Sequence, residues 1–277
     1  MFFSSLATPL ILLVLYATFL SNIYLDSFKM QLGGFSIDED ILRGLVGGQL
    51  FSSLLAVSCV TVAFCSNLLM VQDRVNGSRR DLLIAPIHRS KLAIGYYAST
   101  LIVTLLIAAI ATGASFLYLA VVGWYLSVWD VLLLFLDIFL LVMFGTALSS
   151  VVNYFLTTQG QISAVGSIVS SCYGFLCGAY MPISGFSEGL RNILSLLPGT
   201  YGTSLLRNHA MRGALAELEG SGVPGEMLEG IRDSVDCNIY FFGARVETYV
   251  MYLVLGGATL LLLGVFLAIH RLDKRKF

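Results

Sequence analysis

Residues 72–91 read Gln72-Asp-Arg-Val-Asn-Gly-Ser-Arg-Arg-Asp-Leu-Leu-Ile-Ala-Pro-Ile-His-Arg-Ser-Lys91. This charged stretch lies between two long runs, residues 44–72 and 92–129, that contain no Asp, Glu, Lys or Arg. A charge at the centre of a bilayer costs about 2.5–3.5 kcal/mol even on the lenient insertion scale. The two flanks therefore belong in lipid and the loop in water. With five Lys/Arg, the loop is expected on the cytoplasmic side.

Composition agrees. Of 277 residues, 57% are hydrophobic and only 12% charged, and the mean hydropathy is +0.85. A soluble domain carries about a quarter charged residues, so the chain is expected to be an all-α integral membrane protein. The continuous apolar runs lack the alternation of a transmembrane barrel. Six stretches are long enough to cross the hydrocarbon core: residues 4–23, 47–71, 92–119, 128–152, 162–181 and 248–269. The apolar start has no basic n-region and is expected to be a first span rather than a removable signal. Four basic residues in the tail, Arg271, Lys274, Arg275 and Lys276, put it beside the 72–91 loop. Both termini are thus expected in the cytoplasm and residues 184–247 outside the cell.

Within that outer segment, Leu190, Ile193, Leu194 and Leu197 recur at helical spacing between Ser187 and Pro198, too short a run to span. It reads either as an interfacial helix or as a re-entrant hairpin buried in protein. A second helix is expected at residues 201–212. The acidic residues 214–236 are expected to form a solvated external cap, with Cys237 open to impermeant thiol reagents. Cys59, Cys65, Cys172 and Cys177 lie in apolar stretches and are expected to be protected.

Chemical motifs are scarce. There is no Gly-Lys pair and hence no phosphate-cradling loop, and no His-Glu-x-x-His sequence. No nucleic-acid binding is expected. Asp137 is the one ionisable residue well inside an expected span, with no basic partner evident at its depth. Asn67, Asn153 and Tyr154 are candidates for a polar translocation path. Gly145/Ser149 and Gly166/Ser170 form small-xxx-small patterns that allow close helix approach.

Two stretches resemble a known family. Asp73, Arg74, Gly77, Arg79, Arg80, Asp81, Leu82, Leu83, Pro86 and Arg89 are similar, in order and type, to the loop between the second and third spans of ABC-2 type permeases. Gly178-Ala-Tyr-Met-Pro182, then Leu196-Leu197-Pro198 and Arg207, resemble the same family's stretch after its fifth span. The resemblance implies an exporter in which two permease subunits pair with two separate ATPase subunits. This chain would bind no cofactor of its own, the ATP and Mg belonging to the partner. The 72–91 loop would carry the coupling helix that docks on the ATPase. Gly178, Pro182, Leu197, Pro198 and Arg207 would belong to a re-entrant hairpin, which tips the choice left open above toward the second reading. Such permeases usually have an amphipathic cytoplasmic helix before the first span. This sequence shows none, and a truncated start is the expected reason. A hydrophobic or amphiphilic substrate is expected. The alternatives are a secondary transporter driven by an ion gradient and a membrane anchor that transports nothing.

Overall fold

Asp38 caps a helix of 37 residues, α2 (Glu39–Val75), its carboxylate accepting the Asp40 amide at 3.2 Å. Glu39 and Asp40 in the first turn complement the helix dipole. The expected spans at residues 4–23 and 47–71 leave residues 24–46 as an outer loop between them. Instead, α1 (Ser21–Gln31), entered through a π-helical turn at Tyr16–Leu20, lies on α2 and is tied to it by Lys29–Glu39 at 3.1 Å. The computed structural model describes residues 11, 14, 16–33, 35, 37–78, 84 and 89–272.

After α2 come α3 (Arg89–Val122), α4 (Val128–Tyr154) and α5 (Gln159–Leu176). Then follow the short α6 (Glu188–Leu194), α7 (Pro198–Gly220) and α8 (Gly225–Ser234). A two-stranded hairpin, β1 (Tyr240–Phe241) and β2 (Ala244–Arg245), precedes α9 (Thr248–Leu272). Among the described residues, four helices are long and apolar enough to cross a membrane: Glu39–Val75, Ser90–Val122, Val128–Tyr154 and Thr248–Arg271. The third and fourth begin where the sequence reading placed them. Half of the expected first span, residues 4–10, 12, 13 and 15, lies outside the described residues. The expected fifth span, residues 162–181, corresponds to α5, which has 18 residues and a polar, glycine-containing start. It stops early at a Schellman turn: Gly178 takes φ +74°, and the Ala179 amide reaches the Gly174 carbonyl at 2.8 Å.

Most of the core is built around α2, whose middle is buried on all sides by α3, α4, α5 and α7. Glycine lets the backbones close in. A Cβ on Gly145 of α4 would lie 3.0 Å from Val60 Cα, and one on Gly48 would lie 2.7 Å from the Ala210 carbonyl oxygen. Gly166, in the second small-residue pattern, has open space around it instead. Gly213 of α7 is the tightest case, because a Cβ there would lie 1.7 Å from the Tyr125 carbonyl oxygen. The obstacle is backbone and cannot rotate away. Gly213→Ala is therefore expected to destabilise by about 1–3 kcal/mol or more, read as a fall in the unfolding midpoint of the purified chain. A midpoint equal to that of the native protein would contradict this packing.

Helix α7 runs antiparallel to α4. Arg212 pairs with Asp130 in the first turn of α4 at 2.5 Å, His209 meets Asp137, and Gly202 sits against Leu141. At 1.5 Å per residue, the Pro198 end of α7 lies roughly 20 Å deeper among the apolar helices than the Arg212 end. Fifteen of its residues are buried, from Gly199 to Leu218. Pro198 stands at the first helical position, where its missing N–H would have had no partner. It therefore starts α7 as well as ending the run before it.

Candidate functional site

Three polar clusters are held inside this apolar bundle. The first centres on Arg207 of α7, whose side chain is 1% exposed. Its Nη1 pairs with Asp236 Oδ2 at 3.2 Å, and its Nη2 donates to the Gly178 carbonyl and to Ser53 Oγ of α2. Asp236, in the left-handed region at φ +55°, also accepts the backbone amides of Ile183 and Ser184, the latter at 2.9 Å. Burial raises the Asp236 carboxyl above the usual carboxylate range, while the guanidinium and the Ser184 and Ile183 amides pull it down. A Cβ on Gly178 would lie 2.7 Å from Ile183 and 3.1 Å from Asp236, so glycine is needed here for space as well as for φ. One guanidinium–carboxylate pair thus joins α2, the turn after α5, α7 and the segment after α8. Pro182 leads into the 3-10 turn Ile183–Gly185 beside it, and Leu197 forms the N-cap of α7.

Cys237 follows Asp236 inward. It is 2% exposed in a cluster with Leu42, Met211, Leu215 and Ile231. Its carbonyl accepts Ser204 Oγ at 3.0 Å and Asn208 Nδ2 at 2.6 Å. Burial pushes its thiol up to about 12. The expectation that Cys237 is open to reagents is thereby corrected: its acidic neighbours suggested solvent, but the turn at Asp236 carries it into the core. An impermeant maleimide is expected to leave Cys237 unmodified in the folded protein and to label it after unfolding. Labelling in the folded state would contradict the burial. Cys172, expected to be protected by lipid or protein, lies on the surface of the single chain.

The second cluster supplies the partner that Asp137 lacked in the sequence reading. Asp137 is fully buried. Its Oδ2 lies 2.5 Å from His209 Nδ1, and its Oδ1 accepts the Tyr252 hydroxyl at 2.6 Å. The His209 and Tyr252 rings are stacked, with centroids 6.5 Å apart. The carboxylate joins α4, α7 and α9. His209 was assigned to the outer segment, and only the antiparallel course of α7 brings it to the depth of Asp137.

The third lies toward the charged loop. Asn67 Nδ2 donates to Ser149 and Ser150 at 3.1 and 3.0 Å, and Thr100 donates to its Oδ1 at 3.3 Å. Asn153 is fully buried, and its amide has no hydrogen-bond partner among the described residues. The Tyr154 carbonyl accepts Arg74 Nη1 at 2.6 Å, and the Leu156 carbonyl accepts it at 3.0 Å, with the guanidinium 5.3 Å from the Tyr154 ring centre. Asp73 accepts the Tyr96 hydroxyl at 2.8 Å. Of the three expected path residues, Asn67 and Asn153 thus sit inside the helix packing, with Asn67 joining three helices, and Tyr154 is half-buried. Gly77, at φ +85°, turns the chain out of α2. Arg79, Arg80, Asp81, Leu82, Leu83 and Pro86 lie outside the described residues. Arg89 opens α3, but its side chain is also outside them. Among the described residues no three His, Cys, Asp or Glu side chains gather as a metal site.

The family model described as ABC-2 type transporter matches residues 1–210, about three quarters of the 277-residue chain. The chain belongs to the ABC-2 type transporter family. No curated protein and no solved structure matches it. Membership makes it a multi-pass membrane protein and the transmembrane permease component of an ABC transporter, a family whose general partner is an ABC ATPase. The match covers α1 to α6, and it extends into α7 as far as His209 and Ala210. It therefore takes in Arg207, while Asp236, Tyr252 and the hairpin lie beyond it.

Proposed function

We propose that this chain is the permease subunit of an ATP-binding cassette exporter, working in the cytoplasmic membrane with a separate ATPase subunit and a second permease copy. It moves a hydrophobic or amphiphilic substrate outward. The observation that carries the reading is the α6–α7 pair, which dips among the spans from one end while the charged loop leaves them at the other. In this reading, the pair is a re-entrant hairpin on the outer side. Both termini and the 72–91 loop are cytoplasmic, and α5 together with the stretch at residues 4–23 completes six spans. A second copy is supported by α5, where Gly160, Ala164, Ser167 and Ser171 form an exposed, small-residue face suited to close helix contact.

The test lies in the loop. Leu82 and Leu83 follow Arg79, Arg80 and Asp81 in the sequence, so a coupling helix of the kind the resemblance implies would present both charge and apolar surface to a partner, and burying each leucine is worth about 1.5–3 kcal/mol. Leu82→Asp combined with Arg80→Glu is expected to abolish co-purification of the ATPase or its stimulation, while the permease still inserts. Normal ATPase binding and transport in the double variant would refute the docking role. The Asp137–His209 pair favours one rival, transport driven by an ion gradient. Flux that follows a proton or sodium gradient and needs no ATPase would establish that rival instead.

A further inference from the structure

A cavity of about 370 Å³ opens between α4, α5, α9 and the start of α7. Phe144, Tyr173, Pro198 and Ala258 form its walls, and these offer almost no polar surface. Its volume falls within the range of small-ligand pockets, about 300–1,000 Å³, but such pockets usually carry a few polar groups to orient the ligand. This one has none to offer. Its polar lining atoms are engaged with protein: Thr200 Oγ1 donates to the Leu194 carbonyl at 2.9 Å, and Tyr173 Oη is packed against Gly199, where a Cβ would lie 2.5 Å from it.

The rim indicates where an occupant enters. Leu176, Leu197 and Leu261 border the cavity and are exposed, and Leu261 continues an apolar strip along α9 through Leu260 and Leu253. Helix α9 crosses the membrane with most of its surface uncovered by protein. The mouth is therefore continuous with the lipid-facing surface. The small-residue face of α5 (Gly160, Ala164, Ser167, Ser171) lies about half a turn around the helix from Tyr173, at 100° per residue. A second copy seated on that face leaves the cavity open.

We propose that this cavity is a binding site for one acyl chain of a bilayer phospholipid, entering past Leu176 and Leu261 and ending against Pro198. A hydrocarbon chain arrives from lipid without dehydration and restores the dispersion contacts that an empty apolar cavity lacks. The headgroup stays outside, because nothing in the cavity can bond it. The site rests on the chain spanning a bilayer and not on the export reading.

The test uses the full chain in phosphatidylcholine vesicles whose lipid carries a diazirine at mid-chain. After irradiation, adducts are expected on the segments around Phe144, Tyr173, Pro198 and Ala258, and also on the lipid-facing Leu253 and Leu260. Ala258→Trp fills the cavity and is expected to cut the first set severalfold while leaving the second unchanged. The Leu253 and Leu260 adducts report correct insertion. If Ala258→Trp fails to insert, Leu148→Trp, from the opposite wall, gives the same reading. Cavity adducts that persist undiminished in the filled variants, or adducts confined to Leu253 and Leu260, would overturn the proposal. So would loss of the cavity adducts on formation of a permease dimer, which would mark the cavity as part of a protein interface.

Discussion

Asp236→Ala is expected to destabilise the folded protein by about 3–5 kcal/mol, because it leaves the Arg207 guanidinium buried without its counter-charge. Side-chain exposures of 1% and 4% mean that water cannot replace the missing partner without local unfolding. The loss also frees the Ile183 and Ser184 amides, which Asp236 accepts in the native fold. Arg207→Met should cost a similar amount, by stranding the carboxylate. Joint replacement, Arg207→Met with Asp236→Leu, should recover a large part of either loss, since an apolar pair demands no desolvation of charge. Unfolding in detergent, followed by the fluorescence of the chain's two tryptophans, measures all three. Single variants within about 1 kcal/mol of the native protein would show that the pair is hydrated.

The second large effect is expected at Asp137. Asp137→Ala removes the acceptor of the Tyr252 hydroxyl and the partner of His209 together. Each buried polar group left unsatisfied costs about 1–3 kcal/mol, so α7 and α9 should both loosen against α4. Tyr252→Phe removes one donor and leaves the His209 contact, and it should cost only about 1 kcal/mol. Protease susceptibility of α7, together with the unfolding midpoint, separates the two variants. Equal losses in both would mean that Tyr252, rather than His209, carries the joint.

The long apolar stretches announced themselves: residues 128–152 and 248–269 were read almost as α4 and α9 fold. The start of α2 was less legible. Asp38, Glu39, Asp40 and Arg43 look like a watery loop, yet acids are what a helix N-terminus favours, and Gly44, Gly47 and Gly48 are packing sites rather than turns. The helix expected as a fifth span was read too long because residues 177–181 stay apolar after Gly178 has ended it. Of the hairpin residues singled out, Gly178 and Arg207 meet directly and Pro182 leads into the turn beside them, whereas Leu197 and Pro198 stand apart at the start of α7. The charged partner of Arg207, Asp236, was hidden among the acids of a segment read as solvated. Pairings such as Asp137 with His209, 72 positions apart, depend on where α7 turns back, and no local periodicity encodes that.

The 37 residues of α2 make a rod roughly 55 Å long, nearly twice the 30 Å thickness of the hydrocarbon layer. No proline interrupts it. Near one end, Asp73 and Arg74 are pinned to Tyr96 and to the Tyr154 and Leu156 carbonyls. Further along, Ser53 touches the Arg207 guanidinium. A beam held in this way behaves as a lever. A small rotation imposed beside the charged loop would reach the far side of the bilayer as a wider sweep, delivered to the Arg207–Asp236 junction and to the helices fastened there.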